Sequence, residues 1–276
     1  MALRRKMHGA ETKPFETCAA LPRPAAPWGI RSPWRHPPLN IALEEGLRAR
    51  LLANGGPGYF LCGRNEPSVI VGRNQNARAE LSAPARARGL PVYRRTSGGG
   101  AVYHDAGNLN WCWVVPGGLE DRERLLALVL NALRKLGVAA EEGPRGGIFA
   151  KREKIGGTAC AAGKGVLLFH GTLLVSTDLA ELRSALAAHA PDYAAESLAG
   201  VPSVPSEVST VARLQPGLDI ETVEAALFAE IAQEVPPNPP EAFLDLNALE
   251  RLAQDYGRES WILDRKPPAR NRSSTP

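Results

Sequence analysis

Three consecutive glycines lie within the run Arg94-Arg95-Thr96-Ser97-Gly98-Gly99-Gly100-Ala101-Val102-Tyr103-His104-Asp105-Ala106-Gly107-Asn108. Glycines offer no side chain to bury, so packing does not account for them. They open backbone angles that other residues avoid, and they let a ligand reach peptide N–H groups. The two arginines upstream set fixed positive charge beside those main-chain donors. Such a combination suits a phosphate or a carboxylate. Downstream, Ala101-Val102-Tyr103 and the alternating Leu109-Asn110-Trp111-Cys112-Trp113-Val114-Val115 predict strands. The glycines are therefore expected to form a loop between paired strands, with 104–108 as the following turn. No Gly-Lys-Ser/Thr follows, and a strand follows instead of a helix, which excludes a Walker loop. Taken alone, the segment also reads as a glycine-rich hairpin with surface arginines.

The chain has 276 residues, of which 44% are hydrophobic and 22% charged, enough for one large domain or two small ones with a sizeable core. Charge is segregated. Residues 1–38 hold seven Lys/Arg against two Asp/Glu, and 265–276 hold four against none, which leaves 39–264 at a net −5. A body of that sign is not expected to bind nucleic acid. Cys18, Cys62, Cys112 and Cys160 are widely spaced with no Cys-x-x-Cys, and no secretory h-region precedes them. Free thiols in a reducing cytoplasm are expected. No apolar run approaches the roughly 18 residues of a membrane span. Residues 1–38, basic and rich in Ala and Pro, are expected to be a disordered leader, and 265–276 a disordered basic tail.

Order is expected from Leu39, where apolar residues at 39, 43, 47 and 51 predict a helix that Asn40 caps. Tyr59-Phe60-Leu61-Cys62 and Ser68-Val69-Ile70-Val71-Gly72 predict short strands. The polar loop Gly72-Arg73-Asn74-Gln75-Asn76 after them can face a ligand. A short helix over 79–87 and the strand Pro91-Val92-Tyr93 lead to the glycine loop. Residues 121–136, apolar at 125, 126, 129, 132, 133 and 136, form the clearest helix, stopped by Gly137. Residues 154–175 read as a hairpin with Gly163-Lys164-Gly165 at its tip and Lys154 at its start. A lysine before a strand is, by itself, a solvated edge residue. Helices over 178–186, 221–233 and 242–256 complete the chain, with a Pro/Ser-rich loop over 191–210 and a proline spacer over 236–240.

Taken together, these blocks resemble the lipoate–protein ligase A family of the biotin/lipoate protein ligase superfamily. The matching residues are 94–108, Asn40-Ile41-Ala42-Leu43-Glu44-Glu45, Val71-Gly72-Arg73-Asn74-Gln75-Asn76, and Lys154-Ile155-Gly156-Gly157-Thr158-Ala159 with His170-Gly171-Thr172-Leu173-Leu174. Ser203-Val204-Pro205-Ser206-Glu207-Val208 and Pro216-Gly217 also fit, so the resemblance covers about residues 39–264, as one catalytic domain. It implies an α/β fold of the α+β type, with mixed β-sheets flanked by helices, as in class II synthetase-like catalytic domains. It also implies a two-step reaction: lipoate attacks the α-phosphate of ATP to give lipoyl-AMP and pyrophosphate, and an acceptor lysine then takes the lipoyl group. Fixed donors suit that chemistry, because charge develops on phosphate oxygens.

By the same resemblance, Lys154 is the catalytic residue, bridging the lipoate carboxylate and the α-phosphate. Arg95, Gly100, Ala101, Val102 and Tyr103 hold the nucleotide, while Gly98 and Gly99 let the lipoyl chain pass. Arg73, His104, Asn108 and His170 join the binding set, although His170 equally reads as a capped strand histidine. Asp105 reads as a turn residue. ATP, lipoate and Mg2+ are implied. So are acceptors carrying a lipoyl-type lysine: 2-oxoacid dehydrogenase E2 domains, the glycine-cleavage H protein or an H-like lipoate carrier. No nucleic acid, no membrane and a cytoplasmic setting are expected.

Some positions depart from the pattern. Pro144-Arg145-Gly146-Gly147 stands where the family carries an Arg-Asn-Asp-type segment, so the metal ligands are unassigned. Gly156 replaces a common serine, and Cys160-Ala161-Ala162 replaces a basic-polar segment. The chain stops about where two-domain ligases begin an accessory domain, which leaves a single-domain member or a separate accessory subunit as the expectation. Two rival readings are an octanoyltransferase and a non-catalytic lipoate-binding protein. The first needs a cysteine thiolate upstream of the lysine, and residues 145–153 contain no cysteine. The second is disfavoured by the presence of Lys154. Lipoate and octanoate are not separated by sequence, since pocket depth alone discriminates modestly.

Overall fold

The computed structural model describes residues 26–189, 200–232 and 237–267. The expected leader up to residue 25, the tail from 268, and the loop portions 190–199 and 233–236 lie outside the described residues. Order begins before Leu39. Trp28–Arg31 form strand β1, parallel to β2 (Tyr59–Gly63), and Ile30 is fully buried. Helix α1 spans Pro37–Asn54. Pro37 and Pro38 start it, because a preset φ and a missing N–H cost nothing in a first turn. Asn40 is thereby inside the helix and does not cap it. Its amide instead donates to Trp34 O, Arg64 O and Asn65 Oδ1, and its Oδ1 accepts from Ser32 Oγ.

The next elements are β3 (Ser68–Val71), α2 (Ala77–Glu80), α3 (Ala83–Ala87), β4 (Val92–Arg94), β5 (Val102–His104) and β6 (Asn108–Pro116). The single helix expected over 79–87 is two, because Ser82 starts a new cap by accepting from Ala85 N at 3.1 Å. After α4 (Arg122–Lys135), closed by Gly137 at φ 82°, come β7 (Ala140–Glu142), β8 (Ile148–Ala150), β9 (Glu153–Gly156), β10 (Thr158–Gly163) and β11 (Val166–Leu174). Helices α5 (Leu179–Ala185), α6 (Val211–Leu214), α7 (Ile220–Ile231), α8 (Leu246–Gly257) and α9 (Glu259–Ile262) follow. Among the described residues no helix is long and apolar enough to cross a membrane.

The mixed α/β architecture follows from alternation. The main sheet has the order β1-β2-β6-β11-β10. Leu109, Trp111, Trp113 and Val115 of β6 point to one core with α4 and α7, whereas Cys112 and Val114 point to the other with α1 and α8. A period of two along a strand covered on both faces gives this division. A second sheet, β4-β3-β5, packs against α2, α3 and α5. Here the expected pairing is corrected. β4 is parallel to β3 and β5 antiparallel to it, so the glycine loop arches over the end of β3 and does not close a hairpin. The 154–175 hairpin is also shorter than expected. β10 and β11 turn on Lys164 (φ 56°) and Gly165 (φ 75°), the left-handed pair of a tight hairpin. Lys154 belongs instead to a third sheet, β7-β8-β9.

Arg94 ties the C-terminal helix to this frame. It is fully buried, and Nε donates to Trp261 O and Ile262 O at 3.0 Å each, and Nη2 to Ile262 O at 2.6 Å. Its Nη1 reaches Gly72 O, Arg73 O and Gln75 O, and Trp261 Nε1 returns a bond to Arg94 O at 2.8 Å. Replacing it by methionine keeps the volume but strands these carbonyls, so Arg94→Met is expected to lose about 3 kcal/mol in urea unfolding. Hydrogen exchange should quicken first at 259–263 and 72–75, and uniform exchange across the chain would contradict the clamp.

Candidate functional site

Two neighbouring cavities lie where the three sheets and α1 converge. The larger, about 340 Å³, runs between α1, the glycine loop, β6 and β11, and the segments 145–147 and 201–204. A smaller one, about 80 Å³, sits behind Ala101, Val102 and Tyr103 against Leu174, Leu182, Leu186 and Val208. Lys154 lines both, as do Ala101, Val102, Gly157, Thr172 and Ser203.

The lysine is held there by its backbone. Its N–H donates to Glu207 O at 2.9 Å, and its carbonyl accepts from Ser209 N at 3.0 Å, forming a parallel bridge to Val208. The edge position expected from sequence is thus covered by the segment 207–209. Its side chain makes no hydrogen bond or ion pair among the described residues. Burial, with Arg145 nearby, holds the ammonium below its ordinary pKa. Arg145 lines the same cavity, exposed, at φ 55° in the turn 144–146. Lys154 and Arg145, neither with a hydrogen-bond or ion-pair partner among the described residues, therefore face one space.

The glycine loop is shaped by Arg95. Its Nε donates to Ser97 Oγ (3.1 Å), Nη1 to Ile70 O (3.1 Å), and Nη2 to Gly98 O (2.6 Å) and Gly100 O (2.8 Å). Burial pushes its pKa down to about 10, with Glu44 partly opposing that shift. Most of its N–H groups are committed to the loop, so Arg95 builds the loop that lines the larger cavity. Gly99 has φ 88°, which only glycine adopts cheaply. Gly72 must be glycine as well, since a Cβ there would run into Gly99 O. Beyond the glycines, Ser203 Oγ accepts from Ala101 N at 2.8 Å and from Gln75 Nε2 at 3.1 Å. That bond explains why the distant Ser203 block matters.

On the other wall, Ser97 Oγ meets His170 Nε2 at 2.6 Å, and His170 Nδ1 meets Glu44 Oε2 at 2.9 Å. Both ring nitrogens of His170 are thus occupied within the protein, although the residue lines the cavity. Glu44, Cys112 and His170 bring three ligand-type atoms within 4.8 Å of one another, but the histidine is already bonded on both sides. His104 is buried, and its Nδ1 meets Asn65 Nδ2 at 2.8 Å. Asp105 serves the turn, accepting from Gly107 N and Asp178 N.

Of the residues singled out from sequence, Lys154, Arg95, Gly99, Gly100, Ala101, Val102, His104 and His170 line the larger cavity, and Tyr103 the smaller. Three others do not line either. Arg73 is exposed, and its amide is turned to Ser97 O. Gly98 spends its carbonyl on Arg95, and Asn108 is buried beside Asn110 Oδ1 at 2.8 Å. Sequence reasoning missed Asn65, Trp111 and Arg145 as cavity residues, and Glu44 as the partner of His170. Only Glu44 left a signal, since it stands one helical turn after Asn40 on the same face of α1.

Residues 36–232 match the family model of the lipoyl protein ligase A/B catalytic domain. Among curated relatives, lipoate–protein ligase 1 of Staphylococcus aureus is 33% identical over 238 residues, covering 84% of this chain and 71% of that protein. Lipoate-protein ligase LplJ of Bacillus subtilis is 38% identical over 154 residues, covering 54% of this chain and 46% of that protein. The mitochondrial lipoyl amidotransferase LIPT1 of Mus musculus is 34% identical over 197 residues, 70% of this chain and 52% of that protein. The matches to these last two thus span about half of their length. Among solved structures, a lipoate-protein ligase A bound with ATP superposes with a TM-score of 0.68 at 25% identity, over 86% of this chain and 98% of that one. The bi-partite lipoate protein ligase of Thermoplasma acidophilum gives 0.68 at 25%, over 90% and 100%.

The buried histidine carries a consequence for stability. Desolvation pushes His104 down to about 3 from an ordinary 6.5, with Arg95 and His170 adding to it. Between those values the unfolded chain binds a proton that the folded chain refuses, so stability falls as pH drops, by about 1.4 kcal/mol per pH unit at most. The difference in unfolding free energy between wild type and His104→Gln should therefore shrink from pH 7 to pH 4. A constant difference across that window would show that His104 titrates normally.

Proposed function

The chain belongs to the lipoyl protein ligase A/B catalytic-domain family, and from that membership we propose that it is an ATP-dependent lipoate–protein ligase. The observation that carries this reading is Lys154, an unpaired, largely buried ammonium at the junction of two cavities. A reaction joining two anions needs such a charge between them. Lipoate lies in the larger cavity with its carboxylate toward Lys154. The nucleotide lies against Ala101, Val102 and Tyr103, with its α-phosphate at the same lysine. A carboxylate oxygen forms a bond to the α-phosphorus as the bond to pyrophosphate breaks, and Lys154 neutralises charge on both partners. Anion binding also offsets the desolvation that lowers the lysine's pKa. In the second step an acceptor lysine amine attacks the acyl carbon, AMP leaves, and the amine loses a proton.

Magnesium is implied by ATP chemistry, but the residues present do not fit a protein-held ion. Among the described residues Glu44 is the one carboxylate lining the two cavities, and it is bonded to His170. Such ions ordinarily take one or two carboxylates beside substrate phosphates. No step is assigned to the metal. This same observation favours a second reading, transfer of a lipoyl group activated elsewhere, which uses only the second step. The thioester route has no support in the cavities. Cys62, Cys112 and Cys160 line neither, and burial pushes the thiols of Cys62 and Cys112 well up.

The acceptor is a lipoyl-type lysine on an E2 domain, an H protein or an H-like carrier, met in the cytoplasm. The Thermoplasma relative is a bi-partite ligase described with its E2 lipoyl domain, which supports both that acceptor class and an accessory subunit. The catalytic unit includes β1 and runs through α9.

Lipoate-dependent exchange of labelled pyrophosphate into ATP tests the first step. Wild-type protein should exchange, and Lys154→Ala should lose at least about 100-fold, the scale of removing one charge-stabilising donor. Absence of exchange in wild type, with transfer from synthetic lipoyl-AMP intact, would move the assignment to the second reading.

A further inference from the structure

β10 is the outermost strand of the main sheet, with β11 as its neighbour. It reads Thr158-Ala159-Cys160-Ala161-Ala162-Gly163 and carries no charge and no proline. Gly163 and Val166 flank the two-residue turn Lys164-Gly165, so they form a hydrogen-bonded pair and the pairs alternate from there. Thr172 N donates to Gly157 O at 2.9 Å, in step with that alternation. Ala159 and Ala161 therefore spend their backbone groups on β11, whereas Thr158, Cys160 and Ala162 turn theirs outward. Among the described residues no backbone group meets them there.

Other outer strands are guarded. β1 is bridged by Asn238, and β9 by the segment 207–209. β7 is three residues long and ends in the exposed Glu141 and Glu142. Covering, brevity and charge are the usual means of blunting an edge. β10 has none of them, and an open edge of this kind can take an added strand.

Two observations say what adds to it. The edge starts at the larger cavity, which Thr158 and Ala159 line beside Lys154, and it runs outward for about 13 Å to Ala162. Exposed cations also flank it. Arg145 stands at the cavity end, where Thr158 Oγ1 donates to Gly146 O at 2.6 Å, and Lys164 stands at the far turn. Neither has an ion-pair partner among the described residues. They stand on a body, 39–264, whose net charge is −5. An uncharged strand with acidic residues at its ends complements such an edge.

We propose that the acceptor protein docks by adding an extended strand to β10, pairing with the outward groups of Thr158, Cys160 and Ala162, and so brings its target lysine to the cavity. The inference rests on the acyl-transfer step common to both readings of this site. Residues directly opposite one another share a face of a sheet. A lysine opposite Ala159 thus projects to the face that Ala159 shares with His170, the cavity side. Main-chain bonds supply the affinity in this mode of docking, so the small side chains of β10 suffice.

The test measures transfer from synthetic lipoyl-AMP to an unlipoylated E2 lipoyl domain and to an unlipoylated H protein. Wild type is compared with Ala162→Pro, which removes an outward N–H and leaves the ladder to β11 whole, and with Ala162→Lys, which puts a charge on the edge. Each variant should raise KM for the protein acceptor at least about tenfold, the worth of one or two main-chain bonds, at unchanged kcat. Pyrophosphate exchange involves no acceptor and should stay at the wild-type level. In a separate arm that needs no variant, bound acceptor should slow hydrogen exchange over 158–163 in wild type. An unchanged KM in both variants, or bound acceptor that leaves 158–163 unslowed, overturns the proposal. So does a wild-type dimer in sedimentation that Ala162→Lys splits, since the edge then belongs to a second copy. Failure of the underlying reading looks different: wild type then modifies neither acceptor, and the docking role falls with it. Thermal midpoints establish that both variants are folded.

Discussion

Two adjacent guanidinium groups fix the geometry on which the rest of the molecule depends. Arg94 and Arg95 are both buried, and neither is paired with a carboxylate by a direct contact among the described residues. Burying a charge costs several kcal/mol unless hydrogen bonds replace water. Here backbone carbonyls replace it, and each side chain retains a pKa of about 10. The two residues face opposite ways, as neighbours along a strand must. Arg94 reaches back to the 72–75 loop and to α9, while Arg95 reaches forward around the glycines. One pair thus joins the C-terminal helix, the polar loop after β3 and the ligand loop into one rigid body.

That rigidity matters because glycines alone give freedom, not shape. A loop containing Gly98, Gly99 and Gly100 loses more conformational entropy on ordering than one with side chains at those positions. Arg95, Ser97 and Ser203 supply the bonds that hold it. The Ser97–His170–Glu44 chain then connects the loop to β11 and α1. Residues 203–209 do double service, since Ser203 meets the loop while 207–209 pins the backbone of Lys154. Donors and the lysine are therefore positioned by the same segment before any ligand arrives.

Much of this was legible in the sequence, and for identifiable reasons. Alternation over 109–115 gave β6 and its two-faced burial, and the 3.6-residue period gave α4 and α7. The blocks around Gly98 and Lys154 gave the family and half of the residues lining the larger cavity. Local signals misled where pairing was decided at a distance. Nothing near Gly98 says that β4 and β5 flank β3, and nothing near Lys154 says that its strand leaves the hairpin for another sheet. Chain proximity favours hairpins, whereas the packing of the sheets into separate cores decides otherwise. Asn40 looked like a cap until Pro37-Pro38 began the helix earlier. Arg95 reads as a phosphate ligand in one dimension and is a scaffold in three, because its donors meet carbonyls of residues brought together only by folding. Residue type and order determined the family and marked Lys154 and the glycine loop as its candidate site. Tertiary structure alone decided which polar atoms were satisfied by the protein and which, like His104 Nε2, were left buried without a partner among the described residues, since hydrogen-bond accounting depends on neighbours that sequence does not place.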